Sequence, residues 1–444
     1  SQSILDPFGL TYPTAVQATL EGGALSVRFN PTGSLVAAGT WNGAAVVWDL
    51  VTGAQVRTLE GHAKKKQVTC VDWSRNSRYL LSAGKDWNVV VWDLSVLSQP
   101  LDRYTTIRFD QPVSSAAFHP RNSKIVLVVL ASGEAFIVDT RHDHHSRIEL
   151  CETIDESDEE AQRYLYLRSA ITTAKFNPSG KLVFAGTAAG SLLVFNTRTG
   201  TMIGRHSVAG AGQMKQIAFA RSGRFFITNS SDRILRQFEV PTYPTPSEDM
   251  TILDEELEPS LRFSDPINRV AWNGVVVSPD GEWLAGGAAD AAGHKIYIWD
   301  LSSDGQFTAT LDGGRELLVD LDWHPSQPCI ASVTKVGDII VFRTPSEERW
   351  GAFAGGFEEV DENVEYEERE DEFDIEDEDV VEARKRKAEE EPVDMDDDWT
   401  PHKATGGPVQ ETFDDDALWA EDDPDDDVDT HFDLPVLYDD EDEE

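Results

Sequence analysis

The chain has 444 residues, 40% hydrophobic and 27% charged, with a formal net charge of −43. That charge is uneven: residues 345–444 carry 43 acidic and 7 basic side chains, leaving 38 acidic and 31 basic in residues 1–344. Composition therefore separates a nearly neutral body, long enough for a large core, from a polyanionic tail that buries too little to offset the entropy of ordering and is expected to be disordered when alone.

The first element is Ala18-Thr19-Leu20-Glu21-Gly22-Gly23. It echoes Val56-Arg57-Thr58-Leu59-Glu60-Gly61-His62 and Thr308-Ala309-Thr310-Leu311-Asp312-Gly313-Gly314. Between Ala24 and Thr344 one phrase recurs seven times: an apolar strand, a Pro/Gly turn, a strand of small residues, a polar turn, and an apolar strand ending on an aromatic or, in one copy, an aliphatic residue. The clearest copy runs Val27-Arg28-Phe29-Asn30-Pro31-Thr32-Gly33 and ends on Val46-Val47-Trp48-Asp49; later copies end at Trp92, Val138, Phe195, Phe238, Trp299 and Phe342. A period near 40 to 45 residues, stretched by loops and closing on Trp-Asp, predicts an all-β, seven-bladed WD-repeat propeller of four-stranded blades. An open ring would leave strand edges unpaired, so residues 1–22 are expected to close the last blade and residues 23–344 to form the ring.

The second copy holds His62, Ser82, Asp86 and Trp92. Three of these residue types could form a catalytic triad, but their loop, strand and turn positions suit a buried hydrogen-bonded tetrad that braces a blade. His142-Asp143-His144-His145 has no further Cys or His at ligand spacing and is expected to be a solvated loop, not a zinc site. Gly204, Gly210 and Gly212 precede no Lys-Ser/Thr and make no phosphate loop. Paired carboxylates in the tail cannot be held at the fixed distance that acid–base catalysis needs. No catalytic residue, metal or cofactor is assigned.

Cys70, Cys151 and Cys329 are scattered without paired spacing, pointing to a reducing, intracellular compartment and no disulfides. No apolar run approaches the roughly 20 residues of a bilayer span and the first residues lack a signal pattern, so no membrane partner is expected. Arg384-Lys385-Arg386-Lys387 reads either as a nuclear import signal or as a balance to neighbouring carboxylates.

Residues 345–379 are unlike the rest of the tail, residues 380–444, because Phe357, Val360, Val364, Tyr366, Phe373 and Ile375 are interleaved with carboxylates. This alternation reads as a strap that orders on partners, its apolar side chains in pockets and its acids on Arg and Lys. Asp361-Glu362-Asn363-Val364-Glu365-Tyr366-Glu367-Glu368-Arg369-Glu370 followed by Glu372-Phe373-Asp374-Ile375-Glu376-Asp377-Glu378-Asp379 resembles the most recognisable segment of the retinoblastoma-binding protein five family, the Swd-one-type propeller subunits of COMPASS histone methyltransferases. The resemblance extends over Asp6-Pro7-Phe8-Gly9, Asp232-Arg233-Ile234-Leu235-Arg236, Tyr297-Ile298-Trp299 and Trp323-His324-Pro325.

That resemblance implies a nuclear, non-catalytic subunit of a complex that methylates the fourth lysine of the histone-three tail. It implies contact of Asn363, Val364, Glu365, Tyr366, Glu367, Glu368 and Arg369 with the SET-domain subunit. Phe373, Asp374, Ile375, Glu376, Asp377, Glu378 and Asp379 would meet the Ash2-type SPRY subunit, and Val393, Asp394 and Met395 a WDR-five/Swd-three-type propeller. Arg233, Arg236, Arg269 and Lys295 would face the nucleosome, which needs a local basic patch on so neutral a body. Two other classes fit parts of the chain: a generic WD-repeat adaptor, which leaves the apolar ladder of the strap unexplained, and an acidic-tailed histone chaperone.

Overall fold

The structure, a computed structural model, describes residues 11–96, 101–141, 146–153, 170–243, 252–265, 270–290 and 293–344. The chain opens on β1 (Ala15–Leu20). Blade 1 follows with β2 (Ala24–Phe29), β3 (Leu35–Thr40), β4 (Ala44–Asp49) and β5 (Gln55–Glu60). Blade 2 is β6 (Val68–Trp73), β7 (Tyr79–Gly84), β8 (Asn88–Asp93) and β9 (Thr105–Arg108). Blade 3 is β10 (Val113–Phe118), β11 (Ile125–Leu130), β12 (Ala135–Asp139) and β13 (Ser146–Glu149). Blade 4 begins with β14 (Ile171–Phe176), β15 (Leu182–Thr187), β16 (Leu192–Asn196) and β17 (Met202–Val208), and blade 5 with β18 (Met214–Phe219), β19 (Phe225–Ser230) and β20 (Leu235–Glu239). The chain then places β21 (Leu253–Leu257) beside β17 and β22 (Leu261–Phe263) beside β20. Blade 6 is β23 (Trp272–Val277), β24 (Trp283–Ala288), β25 (Lys295–Asp300) and β26 (Gln306–Asp312). Blade 7 is β27 (Leu318–Trp323), β28 (Cys329–Thr334) and β29 (Ile339–Arg343), with β1 as its outer strand.

Seven sheets thus close into a seven-bladed β-propeller. Its core lies in the seams: each of seven apolar clusters joins one blade to the next, including Leu20, Val27, Trp48, Val333 and Val341 between blades 7 and 1. A blade's second strand is covered on both faces, so it reads as a continuous small or apolar run instead of alternating. Leu35–Thr40, Ile125–Leu130 and Cys329–Thr334 are buried at every position. Outer strands alternate because one face meets water, as in Gln55–Glu60, where Arg57 and Leu59 are buried while Gln55, Thr58 and Glu60 are exposed.

The innermost strand of every blade has one edge unpaired, facing the central channel. Each also carries a bulge after its first residue, which skips Leu25, Thr69, Ser114, Thr172, Lys215, Asn273 and Val319 in turn. Bulges re-aim side chains. Here Thr69 donates to the Val113 carbonyl at 3.0 Å, Thr172 to that of Met214, and Asn273 to that of Leu318 at 2.6 Å, each reaching the next blade.

Closure is laced by several bonds. β1 runs antiparallel to β29 from Ala15↔Arg343 to Leu20↔Ile339. Ala24 N donates to Gly337 O at 2.8 Å, and Thr344 Oγ1 to Tyr12 O at 2.8 Å. Gly337 sits at φ +107°, and a Cβ there would lie 2.4 Å from the Gly23 Cα, so the two turns meet backbone to backbone. Tyr12 also packs against Trp283 of blade 6, with ring centroids 4.7 Å apart.

One strand goes beyond the sequence-based count. β21 joins blade 4 in parallel, Gly204↔Leu253 to Val208↔Leu257, making a five-stranded sheet. His206 fixes it through Glu255 O at 3.2 Å and Tyr243 Oη at 2.8 Å. The exposed carboxylates of Asp254, Glu255 and Glu256 then guard the new edge, since charge there opposes pairing with another chain.

Deleting residues 1–22 should expose the β29 edge and lower the melting temperature by on the order of 10 °C, the shift for several kcal/mol lost from a domain of this size. Calorimetry together with concentration-dependent size exclusion checks this; unchanged melting and a monomer at every concentration would show that β1 does not secure the ring.

Candidate functional site

His62, Ser82, Asp86 and Trp92 lie in one buried network. His62 Nδ1 is 2.9 Å from Asp86 Oδ1 and His62 Nε2 is 2.8 Å from Ser82 Oγ, while Trp92 Nε1 donates to the same oxygen at 2.8 Å. The bonding pattern places the imidazole proton on Nδ1, toward the carboxylate. Burial acts to raise the Asp86 pKa, but bonds from His62, Asn88 and the Ala63 amide outweigh it and hold the carboxyl well below its usual range. Ser82 is fully buried, and its hydroxyl is held by an indole where a substrate would have to stand. The arrangement braces the β5–β6 connection against β7, β8 and the turn between them, without access for a reactant.

A second such brace was missed from sequence. Gly314 stands where the repeat pattern would place a histidine, and His294, from the turn before β25, fills the space. Its Nε2 is 2.7 Å from Ser332 Oγ, and its ring lies against Phe342. Burial lowers the His294 pKa to about 4. The signal was Gly293-His294 before Tyr297-Ile298-Trp299, legible only once β25 and β28 are known to be neighbours across a seam.

The unpaired inner edges explain the charges in the channel. Phe118 N donates to Asp72 Oδ2 at 2.7 Å, Phe29 N to Asp322 Oδ2 at 2.8 Å, Val27 N to Asp320 Oδ2 at 3.2 Å and Val275 N to Gln216 Oε1 at 2.8 Å. In each case a side chain satisfies an edge amide of the next blade. A buried amide left without an acceptor would cost ~1–3 kcal/mol. Burial raises the pKa of Asp72, and that of Asp322 to about 6. For Arg28, burial acts downward, but Asp320 at 2.8 Å, with Asp322 and Asp72, raises the pKa further. Enclosure in the ring lowers the Lys175 pKa, and Arg28 adds to that effect. Arg28, Asp72, Lys175, Gln216 and Asp322 line a cavity of about 460 Å³ at the channel end where Pro31, Arg75, Pro178 and Arg221 stand. Their sequence signal was weak, because an Asp before the strand's last Trp, as in Asp72-Trp73 and Asp322-Trp323, reads as ordinary polar alternation.

The same end carries two histidine clamps. His119 Nε2 donates to Gly180 O at 3.0 Å across the seam of blades 3 and 4, and His324 Nε2 to Gly33 O at 3.0 Å across the seam of blades 7 and 1. Their Nδ1 atoms accept amides, Arg121 and Asn122 for the first, Ser326 and Gln327 for the second, so both rings are neutral in this geometry. Burial depresses the His324 pKa, and that of His119 to about 4.

Of the residues assigned to the nucleosome, Arg233 is exposed in the turn between β19 and β20, in the left-handed conformation at φ +71°, and Lys295 is half-buried at the start of β25. Arg236 is corrected: it is 3% exposed, with its guanidinium bonded to Asp232 at 2.5 Å and to Ser230 at 3.0 Å, so it completes a buried pair in blade 5 instead of facing DNA. Arg269 and the His142-to-His145 cluster lie outside the described residues, as do the tail positions 363–369, 373–379, 384–387 and 393–395. Among the described residues, no three His, Cys, Asp or Glu side chains are grouped to hold a metal ion.

Two buried groups should pull the acid stability in opposite directions. His119 is depressed from 6.5, so its contribution is present above 6.5 and is lost as pH falls toward about 4. Asp322 is raised from 3.8, so its contribution is present below 3.8 and is lost as pH rises through about 6. Melting temperatures from pH 7 to 4.5 should show the gap between the parent and His119→Gln narrowing with acid, and the gap to Asp322→Asn widening. Parallel curves would refute the assignment.

A model of the WD domain, G-beta repeat, matches residues 15–49 and 53–93. The Set1 complex component swd1 of Schizosaccharomyces pombe is 35% identical over 84% of this chain and 90% of its own length. The retinoblastoma-binding protein 5 homolog of Drosophila melanogaster is 35% identical over 85% of this chain and 72% of its own. The COMPASS component SWD1 of Saccharomyces cerevisiae is 28% identical over 88% and 91%. The crystal structure of the Cps50 (Swd1) β-propeller domain of Myceliophteria thermophila superposes with a TM-score of 0.66 at 30% identity, covering 75% of this chain and all of that one. A ring closed by β1, two repeats that match the WD model and identity sustained over nearly the whole of swd1 together show that this chain belongs to the Swd1/retinoblastoma-binding protein 5 family of WD-repeat propellers.

Proposed function

We propose that the chain is a non-catalytic scaffold subunit of a nuclear, COMPASS-type complex that methylates histone three at lysine four. The observation that carries this reading is the 35% identity to a Set1 complex component over 90% of that protein's length. The geometry supports it: the polar groups that could have served chemistry, from the tetrad to the channel carboxylates, are engaged in holding blades together. A rigid ring then acts as a tether. The strap of residues 345–379 would lay Asn363 to Arg369 against the SET subunit and Phe373 to Asp379 on the SPRY subunit. Tethering supplies effective concentration, and binding energy spent on a loosely held enzyme shifts its population toward the active arrangement. Val393, Asp394 and Met395 would meet a second propeller, and exposed Arg233 with Lys295 and Arg269 would approach nucleosomal phosphates.

The strap separates from bulk charge by substitution. Phe373→Ala with Ile375→Ala leaves the net charge intact and should weaken the SPRY subunit by about 2 kcal/mol or more, the loss typical of buried anchors. Calorimetric titration measures it. Binding that survives this pair but fails when distant tail acids are neutralised would favour the histone-chaperone reading.

For the SET subunit, Tyr366→Ala should lower the methyltransferase rate of the assembled complex while the isolated enzyme's basal rate stays unchanged. A chain ending at Thr344 should not stimulate, and a peptide of residues 357–379 should restore part of the rate in trans at high concentration. Full stimulation by the tailless ring would sink the proposal.

A further inference from the structure

The turns between the first and second strands of the blades stand around the channel end that holds the cavity. In blades 2 to 5 these turns span residues 74–78, 119–124, 177–181 and 220–224 and contain no Asp or Glu. They carry Arg75 and Arg78 in blade 2, Arg121 and Lys124 in blade 3, Lys181 in blade 4, and Arg221 and Arg224 in blade 5. Arg75, Arg221 and Arg224 are exposed, whereas Lys124 is buried with its ammonium 2.7 Å from Tyr104 Oη. Arg198, in the turn after β16, adds a cation at the same end.

Carboxylates at this end of blades 2 to 5 are fewer. Asp93 and Asp139 are held by Arg78 and Arg141 at 2.8 and 2.7 Å, and Asp72 is offset by Lys175 inside the channel. Asp102 and Glu239 remain among the described residues, while Asp143, Glu248 and Asp249 lie outside them. With Arg78 and Arg141 set aside with their partners, seven cations stand against two carboxylates, or five if the three undescribed ones are counted. Blades 6 and 1 reverse the sign, with Asp280, Glu282, Asp300, Asp304 and Asp49 at the same end. The end of the ring is therefore polarised, and its basic arc has an anion as its complement. The chain itself leaves the ring here: Arg343 pairs with Cys329 beside the first turn of blade 7, and Thr344 bonds to Tyr12. Beyond the strap, residues 411–438 hold 12 carboxylates and no Lys or Arg, with Phe413, Trp419, Phe432, Val436 and Tyr438 between them. Trp73, Phe176, Phe219 and Trp323 line the cavity that the arc borders and offer an apolar wall to such side chains. A nucleic-acid duplex would meet the cations but has no apolar side chain for that wall and no tether.

We propose that the basic arc over blades 2 to 5 is the docking site for residues 411–438 of this same chain, with an aromatic side chain of that segment seated in the channel mouth. The tether is long enough. Residues 345–410, treated as a coil, span on the order of 45 Å, against a radius of gyration of about 20 Å for a compact body of this length. Docking would close residues 345–410 into a loop fixed to the ring at both ends, and would screen the arc from other polyanions. The inference is independent of the methyltransferase reading, since it concerns the chain alone.

The test is zero-length carbodiimide cross-linking of the full chain, read by mass spectrometry, with mixed isotope labels. Lys175 and Lys181 should link to carboxylates of 411–438 on the order of tenfold more than Lys64, Lys65 and Lys215, which are exposed at the opposite end of the ring, as a tethered site at millimolar effective concentration should. The links should be intramolecular and should fall several-fold in Arg75→Gln/Arg221→Gln/Arg224→Gln and, at constant charge, in Phe413→Ala/Trp419→Ala/Phe432→Ala/Tyr438→Ala. Should the first variant fail to fold, the second, which leaves the ring untouched, still decides. Links spread evenly over all exposed lysines, links indifferent to the anchors, or links between differently labelled chains would overturn the proposal. So would tail links that persist in the arginine variant while its binding to duplex DNA is abolished, which would make the arc a nucleic-acid site.

Discussion

Seven sheets that touch only their neighbours have no shared centre, so the molecule depends on joining the last sheet to the first. β1 does this by supplying the outer strand of blade 7 from the opposite end of the chain. The seam it secures is filled by a buried apolar cluster that includes Leu20, Trp48 and Val341. Because Gly23 and Gly337 meet backbone to backbone, that seam also tolerates little change in side-chain volume. Closure removes two open edges at once, and with them the template for pairing with another chain.

A second constraint follows from the ring shape. Inner strands splay around the channel and cannot pair with one another, so each leaves edge amides without a backbone acceptor. Asp72, Asp320, Asp322 and Gln216 meet this need across the seams, and Arg28 and Lys175 offset the carboxylates that result. The channel therefore looks like an ionisable active site while serving as a set of struts. The histidines follow the same rule: His62, His119, His294 and His324 each span elements or blades and are oriented by bonds on the ring nitrogens. Polar residue types alone would mislead a search for chemistry here, since function is argued from accessible geometry and not from composition.

Structure thus consumes the interior. A ring of this kind is a stiff platform whose turns present side chains at fixed spacing, and on the proposed reading the strap of residues 345–379 would add affinity through tethering. The exposed indoles of Trp41 and Trp87, the lysines around them and the exposed Arg233 lie on turns, where a substitution changes the surface without disturbing a seam.

The number of blades, the strand order within them and the role of the tetrad were legible in the sequence because they are local. A repeat whose copies contact only their neighbours writes its architecture at a fixed period, and Trp48, Trp92 and Trp299 mark it directly. Family membership was legible too, through long runs such as Asn363 to Arg369. Tertiary structure alone decided whatever depends on contacts between distant positions: that His294 replaces a missing histidine, that Asp72 and Asp322 serve the next blade's amides, and that β21 crosses back to blade 4. In each case the deciding partner is on another strand, tens or hundreds of residues away. A side chain's chemistry can be read from its type, but whether it faces water, a carboxylate or an unpaired amide is set by the neighbour that folding brings to it.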